Sequence, residues 1–224
     1  MKKQIYNCLN NMIFKNVSTE EKNNLLKSIK PITKEYFRQE LIFEENALCD
    51  KIAIIRRGCV KAKIFYQDGH ETVIRILNQN EIIGLSLIFS SLPYYKASFY
   101  AETLTTITLI SKLDLLKMMR ENDTIQKNIL SLISDYSIEQ SNHIRLLSYK
   151  TIRQKLCAFL YMQAKEKKAT TFLINYTKTE LALFLNVERP SLSKELSKLI
   201  QEGLIANQNK LYTIINEKKL SEEL

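Results

Sequence analysis

Residues 177–205 read TKTELALFLNVERPSLSKELSKLIQEGLI, and the way this stretch folds organises the rest of the chain. Thr177 can accept a hydrogen bond from the third backbone N–H after it, and Glu180 can reach back, so Thr177-Lys178-Thr179-Glu180 is a capping box that opens a helix. Leu181, Ala182 and Leu185 give that short helix one apolar stripe. Asn186, one of the few non-glycine types that tolerate a left-handed turn, stands where it should stop. Pro190 suits the first turn of a second helix, where a missing N–H costs little. Ala182 lets that helix cross closely, and Val187 plugs the corner. On a helical wheel Leu192, Leu196 and Leu199 share one face, while Arg189, Pro190, Ser193, Lys194 and Ser197 share the other. Alone, such a helix would be an ordinary amphipathic surface element. Behind a capped short helix and a small-residue turn it reads as the second half of a helix-turn-helix, presenting its polar face to the DNA major groove.

With the stretch upstream of it, Thr177 to Ile205 resembles the Crp–Fnr family of bacterial transcription factors, and the resemblance covers nearly the whole chain. It implies a dimeric regulator that binds near-palindromic double-stranded DNA. Arg189 falls on the family's base-reading arginine and Lys194 on its second basic reader. Pro190 falls where many members carry a base-contacting glutamate; its ring cannot accept from a cytosine, so the usual half-site is not implied. The candidate DNA contacts are Arg189, Ser191, Ser193, Lys194 and Ser197 on the second helix. Thr177 and Lys178 open the first helix, and Lys210 lies in the hairpin beyond. If the protein activates transcription it also touches RNA polymerase, at a place the sequence does not locate.

At 224 residues, 45% hydrophobic, with four glycines and three prolines, the chain can bury a substantial core in two modest domains. The net charge of +9 is spread over both halves and supports polyanion binding only weakly. No stretch approaches the roughly 18 apolar residues of a membrane span, and the start lacks a hydrophobic signal core, so a cytoplasmic protein is expected. Cys8, Cys49, Cys59 and Cys157 are scattered singly, which suits buried or idle thiols. Family members with an iron–sulfur cluster need several closely spaced N-terminal cysteines, and only Cys8 stands there. No metal site or cofactor is expected.

The fold class expected is α+β: an N-terminal antiparallel β-roll, a long dimerisation helix and a C-terminal winged helix-turn-helix. The domains are 1–122, a sensor roll with N-terminal helices; 123–149, the dimerisation helix; and 150–224, the DNA-binding domain. Ile5, Leu9, Ile13 and Phe14, then Leu25, Leu26 and Ile29, recur at helical spacing, and Ser18 to Glu21 caps the second of these helices. From about Glu35 the period changes. LIF, IAIIRRG, VKAKIFY, ETVIRIL and EIIG are short β-rich runs separated by turn residues, among them the hairpin signal Gln67-Asp68-Gly69-His70. Gly58 turns the chain between two of them.

The run Ile82 to Thr103 reads IIGLSLIFSSLPYYKASFYAET. In the cyclic-nucleotide-binding members it resembles, a glycine-glutamate pair and an arginine followed by a small hydroxyl residue hold the ribose and the cyclic phosphate. Here Gly84 matches, but Leu85 replaces the glutamate, Tyr95 the arginine and Lys96 the hydroxyl residue. Leucine accepts no hydrogen bond and tyrosine neutralises no phosphodiester, so cyclic AMP is not expected to bind. Gly84, Leu85, Tyr95, Lys96, Ala97 and Tyr136 mark the pocket for an unknown small-molecule effector. A pocket filled by Leu85, Leu87, Phe89 and Tyr95 is the equal alternative.

Leu113 to Met119 reads as a short helix, and Asp123 and Thr124 offer a cap for one running to about Ser148. Its narrow stripe, Ile125, Ile129, Leu132, Tyr136, His143 and Leu147, predicts pairing with a twin, against the alternative that it packs back on its own roll. Some family members sense gas through haem, which makes His143 beside Tyr136 a minor candidate ligand; a single histidine on such a helix is more often a packing residue. Ile152 to Gln163 sets a further stripe, FLINY (172–176) a strand, and LIANQNKLYTII a two-stranded wing with Asn207 to Lys210 at its tip.

Two further function classes compete. A sensor module acting on a protein partner would keep the roll but leave Arg189, Ser193 and Lys194 unexplained. An enzyme would need a nucleophile–base pair, a metal set or a phosphate loop, and the sequence offers none.

Overall fold

Ile52 to Ile55 are four successive buried residues on one strand, which requires cover on both of its faces. The computed structural model describes residues 12–174 and 176–224; Ile5, Leu9, Cys8 and Asn175 lie outside the described residues. The chain divides into two compact units, one ending at Ile138 and the other beginning at Glu139.

The first unit is a roll of two four-stranded antiparallel sheets. One has the order β1-β8-β3-β6, from β1 (Ile32–Tyr36), β3 (Lys51–Arg57), β6 (Ile82–Ile83) and β8 (Thr105–Ser111). The other has the order β2-β7-β4-β5, from β2 (Leu41–Phe43), β4 (Val60–Phe65), β5 (Glu71–Leu77) and β7 (Ser98–Ala101). The five strands expected from the sequence form; β1, β7 and β8 are additions. β8 runs between β1 and β3, and its buried Thr105 is satisfied by donating to the carbonyl oxygens of Thr103 and Cys59 at 2.8 and 3.2 Å. Gly58 turns the chain at φ +93°, and a Cβ there would lie 2.5 Å from Thr105 Oγ1, so no other residue fits.

Helices α1 (Thr19–Ser28), α2 (Lys112–Glu121) and the first part of α3 (Asp123–Leu147) complete the core of this unit. The cap of α3 is Asn122, not Asp123 or Thr124: its Oδ1 accepts from Ile125 N at 3.0 Å while its Nδ2 donates to Glu21 Oε1 at 2.9 Å. The stripe read as a dimer seam needs correction. Ile125 and Ile129 are 0% exposed, inside the core of their own roll, and Leu132 packs half-buried against the same core. Burial of Ile125 and Ile129 in the core of the same chain takes these two out of reach of any partner. The large apolar side chains that α3 leaves outside are Leu130, Ile138 and Ile144, at 53%, 60% and 70% exposure.

In the second unit Thr151 and Gln154 form a capping box for α4 (Ile152–Lys167), which ends at Lys168 in the left-handed region. Helices α5 (Lys178–Phe184) and α6 (Arg189–Gln201) are the helix-turn-helix. β10 (Ile205–Gln208) and β11 (Leu211–Ile214) form the wing hairpin, with β9 (Thr171–Leu173) as a third strand in the order β10-β11-β9. The wing is thus three-stranded rather than two-stranded, because Phe172 pairs opposite Tyr212. A last helix, α7 (Glu217–Glu222), capped by Asn216, buries Leu220.

Candidate nucleic-acid interface

The turn between α5 and α6 is built as its residues require. Thr177 Oγ1 accepts from Glu180 N at 3.2 Å and Thr177 N donates to Glu180 Oε2 at 2.6 Å, closing the capping box. Asn186 sits at φ +50° and Val187 N donates to the Ala182 carbonyl at 2.9 Å. The last carbonyls of α5 receive donors from two other helices, His143 Nε2 on Phe184 O at 2.7 Å and Lys155 Nζ on Leu185 O at 3.2 Å. The His143 ring also stacks on Phe184 with centroids 4.3 Å apart. A carbonyl can only accept, so Nε2 carries the proton. This histidine is a half-buried, hydrogen-bonded packing residue of its own chain.

On α6, Leu192, Leu196 and Leu199 are buried, while Arg189, Pro190, Ser191, Lys194 and Ser197 are exposed and Ser193 is half-buried. The hydroxyl of Ser197 donates to the Ser193 carbonyl at 3.0 Å, so its one proton is not offered outward. Thr177 differs: its oxygen accepts from the backbone and its proton remains free to be donated. Lys178 is exposed at the start of α5, and Lys210 is exposed in the two-residue loop between Gln208 and Leu211. Asn209 makes that loop at φ +59°, and Asn207 steadies it by donating from Nδ2 to the Asn209 carbonyl at 2.8 Å.

Three cations of this unit are paired with carboxylates: Lys198 approaches Glu195 Oε2 at 3.4 Å, Arg153 at the start of α4 holds Glu195, Glu202 and Glu223, and Lys165 holds Glu217. Among the described residues Arg189, Lys194, Lys178 and Lys210 have no ion-pair partner. A guanidinium and three ammonium groups left without carboxylates on exposed positions suit a polyanion.

The six residues proposed for an effector pocket are only partly gathered. Gly84 turns at φ +88°, and a Cβ there would lie 2.9 Å from Cys49 Sγ and 3.6 Å from Tyr95. Tyr95 is 1% exposed, stacks on Phe43 with centroids 4.4 Å apart, and donates from its hydroxyl to the Lys51 carbonyl at 3.1 Å. Burial pushes its phenol well above the ordinary range, with the Cys49 thiol beside it adding to the shift. Leu85 and Ala97 are buried, whereas Lys96 is exposed to solvent and does not join them. Tyr136 stands apart, with the Arg75 guanidinium 5.5 Å over its ring and Arg75 Nη2 donating to Glu81 Oε1 at 3.1 Å. A cleft of about 380 Å³ opens beside β1 and β2; of the six residues only Tyr95 borders it, with Lys34, Tyr36, Phe43, Lys51 and Leu109. Phe43, Cys49 and Arg75 were not legible from the sequence, being distant along the chain and in no motif. Among the described residues no group of three His, Cys, Asp or Glu is placed to hold a metal, and no helix is long and apolar enough to cross a membrane.

Residues 33–122 match the cyclic nucleotide-binding domain and residues 154–223 the Crp-like helix-turn-helix domain. The chain is similar to the regulatory protein HlyX of Actinobacillus pleuropneumoniae, 23% identical over 199 residues, 86% of this chain and 80% of that protein. It is 21% identical to the fumarate and nitrate reduction regulatory protein of Escherichia coli (strain K12) over 209 residues, 91% of this chain and 81% of that one. Among solved structures, that of FixK2 from Bradyrhizobium japonicum superposes with a TM-score of 0.60 at 16% identity, covering 87% of this chain and 97% of that one, which speaks for the fold. A roll, a long helix and a winged helix-turn-helix in this order, with both domain matches, place the chain in the Crp–Fnr family of transcription regulators.

Proposed function

We propose that this regulator is a homodimer that reads a near-palindromic DNA site through α6 and answers to a signal other than cyclic AMP. The observation that carries the DNA reading is the placement of the exposed cations Arg189 and Lys194 on α6, away from its buried Leu192, Leu196 and Leu199, with Lys178 exposed at the start of α5 and Lys210 at the wing tip. Arg189 at the first position of α6 presents a planar fork that matches O6 and N7 of a guanine. The cytosine contact made by a glutamate in many family members is not expected, since Pro190 offers no acceptor.

The case against cyclic AMP rests on Leu85 and Tyr95, both buried, with the one phenolic proton of Tyr95 already donated to a carbonyl. For the dimer, the supporting feature is the exposed set Leu130, Ile138 and Ile144 on α3, which a second copy would cover. Leu130→Glu should shift the protein from dimer to monomer in light scattering, whereas a parent that is monomeric at tens of micromolar overturns the pairing.

Selection of bound fragments from a random duplex pool, with and without cyclic AMP and a cell metabolite extract, tests the whole reading. The expected result is a two-half-site sequence whose enrichment cyclic AMP leaves unchanged. Binding that vanishes at high salt equally for every sequence would instead favour a sensor module acting on a protein partner.

A further inference from the structure

Arg153 is the second residue of α4, inside the first turn that the Thr151–Gln154 capping box closes. All three of its guanidinium nitrogens are engaged. Nε donates to Glu223 Oε2 at 2.8 Å, Nη1 to Glu195 Oε1 at 3.1 Å and Glu202 Oε1 at 3.2 Å, and Nη2 to Glu223 Oε1 at 2.8 Å and to Glu202 Oε2. Glu195 lies within α6 and Glu202 caps its end, seven residues on; at 1.5 Å per residue the two anchor points are roughly 10 Å apart along the helix axis. Glu223 belongs to the chain end just past α7.

The back of α6 is otherwise held by Leu192, Leu196 and Leu199. Apolar contacts are non-directional, and they fix how deeply a helix is buried better than they fix its roll or its position along its axis. One guanidinium gripping two carboxylates two turns apart constrains both, because each bond is directional and charge-assisted. Arg189 and Lys194 project from the same helix on the other side, so their aim follows from that constraint. A reading group held even an ångström too loosely loses discrimination while keeping its charge.

We infer that Arg153 is a positioning residue for base recognition: by clamping Glu195 and Glu202 it sets the roll and register of α6, and with them which base edge Arg189 reaches. It touches no DNA itself. The inference rests on α6 being the reader, and the test separates the two. Full-length parent, Arg153→Met, Arg153→Lys and Glu195→Gln proteins are titrated at two salt concentrations with the selected duplex and its single-base variants, with thermal unfolding of each recorded alongside.

Arg153→Met should lose on the order of ten-fold in the ratio of selected to variant affinity, the value of one good base contact, with non-specific affinity and its salt slope unchanged. Arg153→Lys, a point charge without the fork, should recover only part of that ratio. A merely structural role would lower the melting temperature and the active fraction while leaving the ratio untouched. An unaltered ratio in folded Arg153→Met overturns the inference alone. If Arg153→Met does not fold, Glu195→Gln decides: a several-fold drop in the ratio supports the clamp, and parental discrimination overturns it. A parent with no base preference overturns the reader assignment, and the clamp with it.

Discussion

Two stretches of this chain follow the pattern of one family, Ile82 to Thr103 in the roll and Thr177 to Ile205 in the helix-turn-helix, and their side chains end up in opposite situations. In the second, Arg189, Lys194 and Lys178 stand exposed and without ion-pair partners among the described residues, on elements anchored by Leu192, Leu196 and Leu199. In the first, the positions of the nucleotide-binding glutamate and arginine hold Leu85 and Tyr95, both inside the core, with Tyr95 bonded to the Lys51 carbonyl. The backbone scaffold is retained in both. What differs is whether a polar group is left over after the protein's own hydrogen bonds are made, and a site's chemistry depends on that remainder.

The comparison can be broken most forcefully at Tyr95. If its ring is a packing element, Tyr95→Ala should destabilise the protein by about 3–5 kcal/mol in denaturant unfolding, the usual range for a buried aromatic; a loss below about 1 kcal/mol would mean that the ring can leave and the pocket can open. At the other stretch, Arg189→Ala should leave unfolding unchanged. It should weaken binding to the selected duplex by about 1–3 kcal/mol, mainly at one base pair per half-site. Unaltered base preference in that folded variant would remove α6 as the reader.

Lys210→Ala should act more weakly and uniformly, lowering the slope of log affinity against log salt by about one, as expected of a single phosphate contact. A change confined to particular bases would instead put the wing among the readers. The smallest effect concerns acid. Hydrogen bonds from Arg153 hold the Glu202 and Glu223 carboxyls below the usual carboxylate range. Depressed folded-state values mean that the stability they contribute is present above the ordinary carboxylate pKa of about 4.3 and is lost as pH falls through the lower folded-state values. Melting temperatures recorded across that interval should fall less steeply in Arg153→Met than in the parent; parallel curves would show that the clamp adds nothing there.

Much of the helix-turn-helix was legible because its determinants are local. A capping box spans four residues, Asn186 carries its own tolerance of positive φ, and three leucines at helical spacing define a buried face without reference to the rest of the chain. The roll was legible in its apolar runs and less so elsewhere. Thr105 to Ser111 mixes threonine with aliphatic residues without strict alternation and becomes a central strand only because β1 and β3 lie on either side of it. The α3 stripe was read with the right period and assigned to the wrong neighbour at Ile125 and Ile129, since periodicity identifies a face that will be buried but not what buries it. Arg153 had no signal at all, because its partners lie 42, 49 and 70 residues away.

Sequence alone therefore determined the capping boxes that open α1 and α5, where the chain turns with positive φ at Gly58 and Asn186, and that leucine and tyrosine stand at positions 85 and 95. Each of these depends on a residue's own chemistry or on neighbours within about one helical turn. Tertiary structure decided which surfaces and charges remain available: that Ile125 and Ile129 face their own roll, that His143 serves the Phe184 carbonyl, and that Arg153 gathers three carboxylates while Arg189 and Lys194 keep none. Those outcomes follow from pairings between residues tens of positions apart, where satisfying one buried or charged group depends on which partner the fold brings to it.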